Sequence, residues 1–123
     1  YLDNVIAAGE AGELSAFMNE ESLYSAYGEV NLKLNRLDLA ANAYRTLYHY
    51  PSRRFEATMN LGVIFFKRKQ WQKAKQCFEK SLHMKPDDAL LKENIRVVDA
   101  EIERSKNVRK PVSDRPHDME AVR

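Results

Sequence analysis

The residue types that most often carry chemistry are thinly spread in this chain. Its three histidines, His49, His83 and His117, each stand far from a second ligand type at metal spacing, so no zinc site is expected. Cys77 is the single cysteine and neighbours Phe78 on an expected helix, where a small packing residue is expected rather than a nucleophile. No Ser–His–Asp order, glycine-rich phosphate loop or paired carboxylates stand out. The expectation is a non-enzyme without cofactor or metal. The remaining chemistry is charge. Residues 67–85 hold seven bases and one acid, with Trp71 and Phe78 interleaved. A basic face of Arg68, Lys69, Lys73, Lys75 and Lys80 can meet phosphates. Lysine outnumbers arginine there, and arginine is favoured for base and bidentate phosphate contacts, so nucleic acid is the weaker reading.

The charge is divided along the chain. Residues 1–32 carry six acids (Asp3, Glu10, Glu13, Glu20, Glu21, Glu29) and no Lys or Arg. Against the basic second half, this opposition can orient a partner or draw two copies together, the plainer reading being two solvated helix faces. Charged residues make up 31% and hydrophobic ones 44% of 123 residues, which suits one small helical domain. The longest uncharged apolar run, Leu61 to Phe66, is far too short to span a bilayer. One cysteine excludes an internal disulfide and fits a reducing compartment. The chain begins at Tyr1 with no basic and apolar signal regions, so it reads as a segment of a longer cytoplasmic, or nuclear, protein.

Hydrophobic spacing supplies the elements. Leu2, Val5 and Ile6 suggest a short helix over 1–8, broken by Gly9 and Gly12. Leu14, Phe17, Met18, Tyr24, Tyr27, Val30 and Leu34 recur at helical steps and predict one long helix over 13–34. Asn35–Arg36 turns the chain into a second helix over 37–50, which Pro51 ends. Helices over 53–68 and 71–84 follow, joined at Lys69–Gln70. Asp87 or Asp88 then caps a helix with Leu91, Ile95, Val98 and Ile102 on one stripe and charge on the other face. A one-sided helix of this kind suits the end of a stack. Beyond residue 106 the chain turns polar, with Pro111 and Pro116, and reads as a disordered tail.

Sliding the sequence by 34 residues superimposes Gly28 on Gly62, Ala40 on Ala74 and Tyr44 on Phe78. A period of this length marks stacked helix–turn–helix units. The chain resembles the tetratricopeptide repeat family. In that family a bulky residue, Leu–Gly and an aromatic mark the first helix, Ala–aromatic–Ala the second, and a proline closes the unit. Thr58, Leu61, Gly62, Phe65, Ala74, Phe78, Ser81 and Pro86 follow this pattern, with Thr58 in place of tryptophan and Ser81 in place of the second alanine. Tyr24, Tyr27, Gly28, Asn31, Ala40, Tyr44 and Leu47 follow it less closely, with Asn31 the largest departure and Pro51 one place early. The resemblance implies an all-α solenoid of antiparallel helix–turn–helix repeats: an N-terminal helical segment over 1–20, repeats over 21–52 and 53–86, a capping helix over 87–106 and a tail over 107–123.

It also implies a non-catalytic protein-binding module, an adaptor or scaffold in a protein complex. The first helix of each unit lines the family's inner groove. That places Ser22, Ser25, Ala26, Glu29, Leu32 and Lys33 from the first unit there, and Glu56, Met59, Asn60, Val63, Phe66 and Lys67 from the second. The last helix adds Leu90, Glu93, Asn94 and Val97. Met59, Val63 and Phe66 form an i, i+4, i+7 stripe suited to an apolar or amphipathic segment, unless the same chain covers it. Some family members grip a chaperone's C-terminal carboxylate. The matching positions here are Ser25, Glu29, Asn60, Leu90 and Asn94; only Asn60 agrees, and Glu29 repels a carboxylate, which argues against that ligand. Self-association and an RNA-associated scaffold are the alternatives.

Overall fold

The computed structural model describes residues 19–109. These form five α-helices and one short 3-10 turn: α1 (Glu20–Lys33), α2 (Leu37–Leu47), the turn Pro51–Arg53, α3 (Arg54–Lys67), α4 (Trp71–Met84) and α5 (Ala89–Arg109). Each helix packs against its neighbours in sequence, giving the all-α stack of hairpins that the 34-residue period predicts.

The helix ends are set by local chemistry. α1 starts at Glu20, not at residue 13. Asn19 has extended backbone (φ −73°, ψ 169°), and its side-chain oxygen accepts a hydrogen bond from the Ser22 backbone N–H at 2.8 Å. Asparagine is among the best N-caps, and Glu20 and Glu21 follow where the helix dipole favours acids. Apolar periodicity runs past such a cap without registering it. The second helix stops at Leu47 rather than residue 50, because the Tyr48 to Tyr50 stretch winds into a turn, with the Tyr50 N–H donating to the Leu47 carbonyl at 3.0 Å. Asp88 is the cap of α5, accepting from the Leu91 N–H at 2.9 Å. α5 continues to Arg109, beyond the expected end at 106, since Pro111 is the first residue that opposes helix. The helix expected over 1–8 and the tail over 110–123 lie outside the described residues.

The two interhelical turns are copies of one another, 34 residues apart. Asn35 and Lys69 both take the left-handed conformation, with φ of 58° and 62°. In the first, the Asn35 N–H donates to the Leu32 carbonyl and the Arg36 N–H to the Asn31 carbonyl, at 3.0 and 2.8 Å. In the second, the Lys69 N–H donates to Phe66 and the Gln70 N–H to Phe65, both at 2.9 Å. This is the Schellman closure, which satisfies carbonyls left over at a helix C-terminus.

The same register governs packing. Ala57 and Ile64 of α3 are buried on one cluster with Ala40, Ala41, Tyr44 and Leu47 of α2. Adding 34 gives Leu91 and Val98 of α5, buried with Ala74 and Phe78 of α4 in a second cluster. Subtracting 34 from Ile64 gives Val30 of α1, which is 53% exposed, because no helix among the described residues packs on that side of α1. The departures from the family pattern are buried and largely self-satisfied. Thr58 Oγ1 donates to the Arg54 carbonyl at 2.7 Å and Ser81 Oγ to the Cys77 carbonyl at 2.9 Å. Hydroxyls can bond back one turn in this way. Asn31 Nδ2 donates to the Tyr27 carbonyl at 2.8 Å, but its buried Oδ1 has no partner among the described residues.

Glycine is required where the hairpin helices touch. A Cβ on Gly62 would lie 2.7 Å from Phe78 Cε1 and 3.1 Å from Cys77 Cβ, and one on Gly28 2.8 Å from Tyr44 Cζ. Both rings are buried and cannot swing away. Gly62→Ala is therefore expected to destabilise the fold by about 1–3 kcal/mol through overpacking, read as a lower denaturant midpoint. Tyr44 adds a pH dependence. Burial first, and then the carboxylates of Glu56 and Glu29, hold its phenol neutral well above the ordinary range. The folded state thus keeps a proton that the unfolded state releases. This contribution is complete below about pH 10 and is lost as pH rises beyond it. Denaturation between neutral and strongly alkaline pH should show a flatter decline for Tyr44→Phe than for the unaltered chain.

Candidate protein-interaction groove

Four of the residues placed in the groove from sequence meet around one cleft. Val63 and Phe66 of α3 face Asn94 and Val97 of α5 across a space of about 170 Å³, and the Phe78 ring of α4 also lines it. The spacing explains the convergence. Val63 and Phe66 lie one turn apart on α3, and Asn94 and Val97 one turn apart on α5, beside the buried Leu91–Val98 stripe. Val97 is 41% exposed, so the cleft opens to solvent. Phe66 stands on Trp71, their rings 5.1 Å apart at 64°, an edge-to-face contact that fixes one wall.

The other expected groove residues are placed differently. Leu32 packs against the first core cluster. Expected in the groove, it is half-buried and is not among the residues that line this cleft. Met59 packs on the second cluster along with Val63 and Phe66, so α5 covers part of the apolar stripe. Asn60 is partly buried and spends its Nδ2 on the Glu56 carbonyl at 2.9 Å. Glu29 and Lys33 are exposed and pair with each other at 3.0 Å. Lys67 is exposed at the end of α3. Arg53, which no motif singles out, is the hub at the α1 end of the stack. It reaches Glu56 at 3.1 Å, Ser22 Oγ at 3.1 Å and Glu21 at 3.4 Å, while Ser25 Oγ donates to Glu56. The 3-10 turn that presents Arg53 leaves no periodic signal.

The basic stretch is largely engaged with the chain itself. Arg68 pairs with Asp38, Lys75 with Asp99 at 2.7 Å, and Lys73 lies over the Phe65 ring at 5.8 Å. Lys80 donates to Tyr48 Oη at 2.6 Å and sits over the same ring; that hydrogen bond is the main cause holding the phenol below its ordinary range. The hydrogen bond to Asp99 likewise raises Lys75. Among these pairs none joins the acids of α1 to the bases of α4. Glu20 hydrogen-bonds Tyr50, and Glu21 and Glu29 meet Arg53 and Lys33. Burial pushes the Cys77 thiol up, which disfavours its nucleophilic thiolate.

Residues 55–88 match the family model described as Tetratricopeptide repeat, a span from the first turn of α3 to the cap of α5. Residues 55–88 are a tetratricopeptide repeat. No curated protein matches it. Tetratricopeptide repeats generally mediate protein–protein interaction or scaffolding and are typically non-catalytic. The matched repeat supplies one wall of the cleft, and α5, beyond its end, supplies the other. Among the described residues no helix is long and apolar enough to cross a membrane.

Because Phe66 both lines the cleft and packs on the core, its truncation should cost stability without unfolding the repeat. Phe66→Ala is expected to lose about 2–3 kcal/mol, at or below the lower end of the range for a fully buried phenylalanine. A denaturant titration followed by helical ellipticity measures this.

Proposed function

We propose that this chain is a non-catalytic adaptor or scaffold segment of a larger cytoplasmic or nuclear protein. In this reading α1–α2 and α3–α4 act as two repeats capped by α5. A partner's apolar or amphipathic segment docks in the cleft between α3 and α5. The observation that carries the reading is the convergence of Val63, Phe66 and Val97, three apolar side chains from two helices, on one solvent-open cleft. An amphipathic helix or strand seats its apolar side chains in such a groove, and pocket-filling anchors dominate its binding.

Val97 is the residue on which to test it, because it faces the cleft while the buried Val98 beside it carries the packing. A photo-crosslinking amino acid at position 97 of the full-length protein should capture one predominant partner. Val97→Asp should abolish its co-purification while moving the melting temperature by no more than about 4 °C. Crosslinking spread over many proteins, or a partner retained by Val97→Asp, would sink the groove reading.

Self-association is a second reading, favoured by the exposure of Val30 on α1 and of Leu34 at its C-cap. Val30 holds the register that Ile64 and Val98 use to bury against a neighbouring helix. Light scattering should then give a dimer mass that Val30→Glu reduces to that of a monomer.

A further inference from the structure

A second cavity, of about 330 Å³, opens at the α3–α4 turn against the C-terminal half of α5. Its walls include Trp71 and Ile102, Ser105 and the three lysines Lys69, Lys73 and Lys106. No carboxylate is among the described residues that line it. Lys106 pairs with Glu103 at 3.3 Å, an exposed contact within α5. Exposed pairs of this kind are weak and exchange readily for another anion. Lys69 is held at the rim by its left-handed turn, and Lys73 extends along Phe65. The site therefore joins an apolar floor to a cationic rim.

This cavity neighbours the cleft across one pair of packed rings. Phe66 lines the cleft and its ring rests on Trp71, which lines the cavity. Val97 and Ile102 serve the two spaces from the same helix, roughly 8 Å apart along its axis at 1.5 Å per residue. That is about five residues of a docked helix or two to three of an extended strand.

We propose that this lysine-rimmed cavity is an acidic-residue subsite: a partner segment with apolar side chains in the cleft places a Glu or Asp carboxylate among Lys69, Lys73 and Lys106. The proposal rests on the groove reading and adds to it a signature for the partner, an apolar anchor followed by acids at about that spacing. The three lysines supply specificity and orientation more than affinity, and their effect falls with salt.

Trp71 is the chain's only tryptophan, so its fluorescence reports the cavity. Two capped peptides serve as probes, each with leucines at one end and either three glutamates or three glutamines at the other. At about 50 mM salt the glutamate peptide should bind about tenfold more tightly, the sum of three weak ion pairs. The triple variant Lys69→Gln, Lys73→Gln, Lys106→Gln should remove that preference and keep the affinity for the glutamine peptide. A charge-matched control, Lys80→Gln, Lys85→Gln, Lys92→Gln, should retain the preference. Equal binding of both peptides, or loss of preference in the control, overturns the subsite and leaves the groove standing. Failure of both peptides to bind overturns the groove and the subsite together. A single-stranded RNA oligonucleotide that displaces the glutamate peptide, and depends on the same three lysines, would reassign the cavity to phosphate and overturn the acidic-partner proposal.

Discussion

The close approach of a helix backbone to an aromatic ring sets the rest of this structure. In each hairpin the glycine of the first helix admits the ring of the second, Gly28 against Tyr44 and Gly62 against Phe78. Any side chain at either glycine would hold the helices apart. With the backbone that near, the small residues Ala40 and Ala74 are sealed completely, and the rings fill the space between neighbouring hairpins. The two left-handed turns, at Asn35 and Lys69, then return the chain through the same backbone conformation each time. The hairpins stack, and that stacking brings α3 and α5 to opposite sides of one cleft.

The cleft is a consequence of this geometry. α5 uses Leu91 and Val98 to occupy the place against α4 that α3 occupies against α2. Its neighbouring row, Asn94 and Val97, is turned towards Val63 and Phe66. The helix therefore acts both as a cover for the second core and as one wall of the cleft. α1 shows the reverse condition. Val30 stands in the register of Ile64 and Val98 yet is exposed, with no described helix packed on it.

Electrostatics follows the local geometry rather than the overall charge division. The acids of α1 and the bases of α4 are opposed in sequence, but the ion pairs formed are short-range ones set by helix spacing and hairpin contact. Glu29 takes Lys33 one turn away, and Asp99 takes Lys75 across the α4–α5 contact. Coulomb attraction between exposed groups falls within a Debye length, about 8 Å at physiological salt, so the nearest partner wins. The lysines that remain at a cavity rim are those that stacking carries beyond reach of a strong partner.

The sequence by itself determined that the chain is helical, how its helices pair into hairpins and the repeat over 55–88. Gly62 and Phe78 are bound to one another by steric need, with Ala74 buried beside the ring, so their spacing is readable without coordinates. Through the family's pattern it offered Val63, Phe66, Asn94 and Val97 as groove candidates, and these four line one cleft. Tertiary structure alone decided which of the ten groove candidates converge. Leu32 and Met59 turn to the core, and Glu29 and Lys33 satisfy each other. The start of α1 was equally hidden, because a cap is a single hydrogen bond from Asn19 and leaves no period. Trp71 with Lys106, and Arg53 with Glu21, are far apart in the chain and meet only after the helices stack. Periodicity records which way a side chain faces along one helix; what stands opposite it depends on the distance and angle of a second.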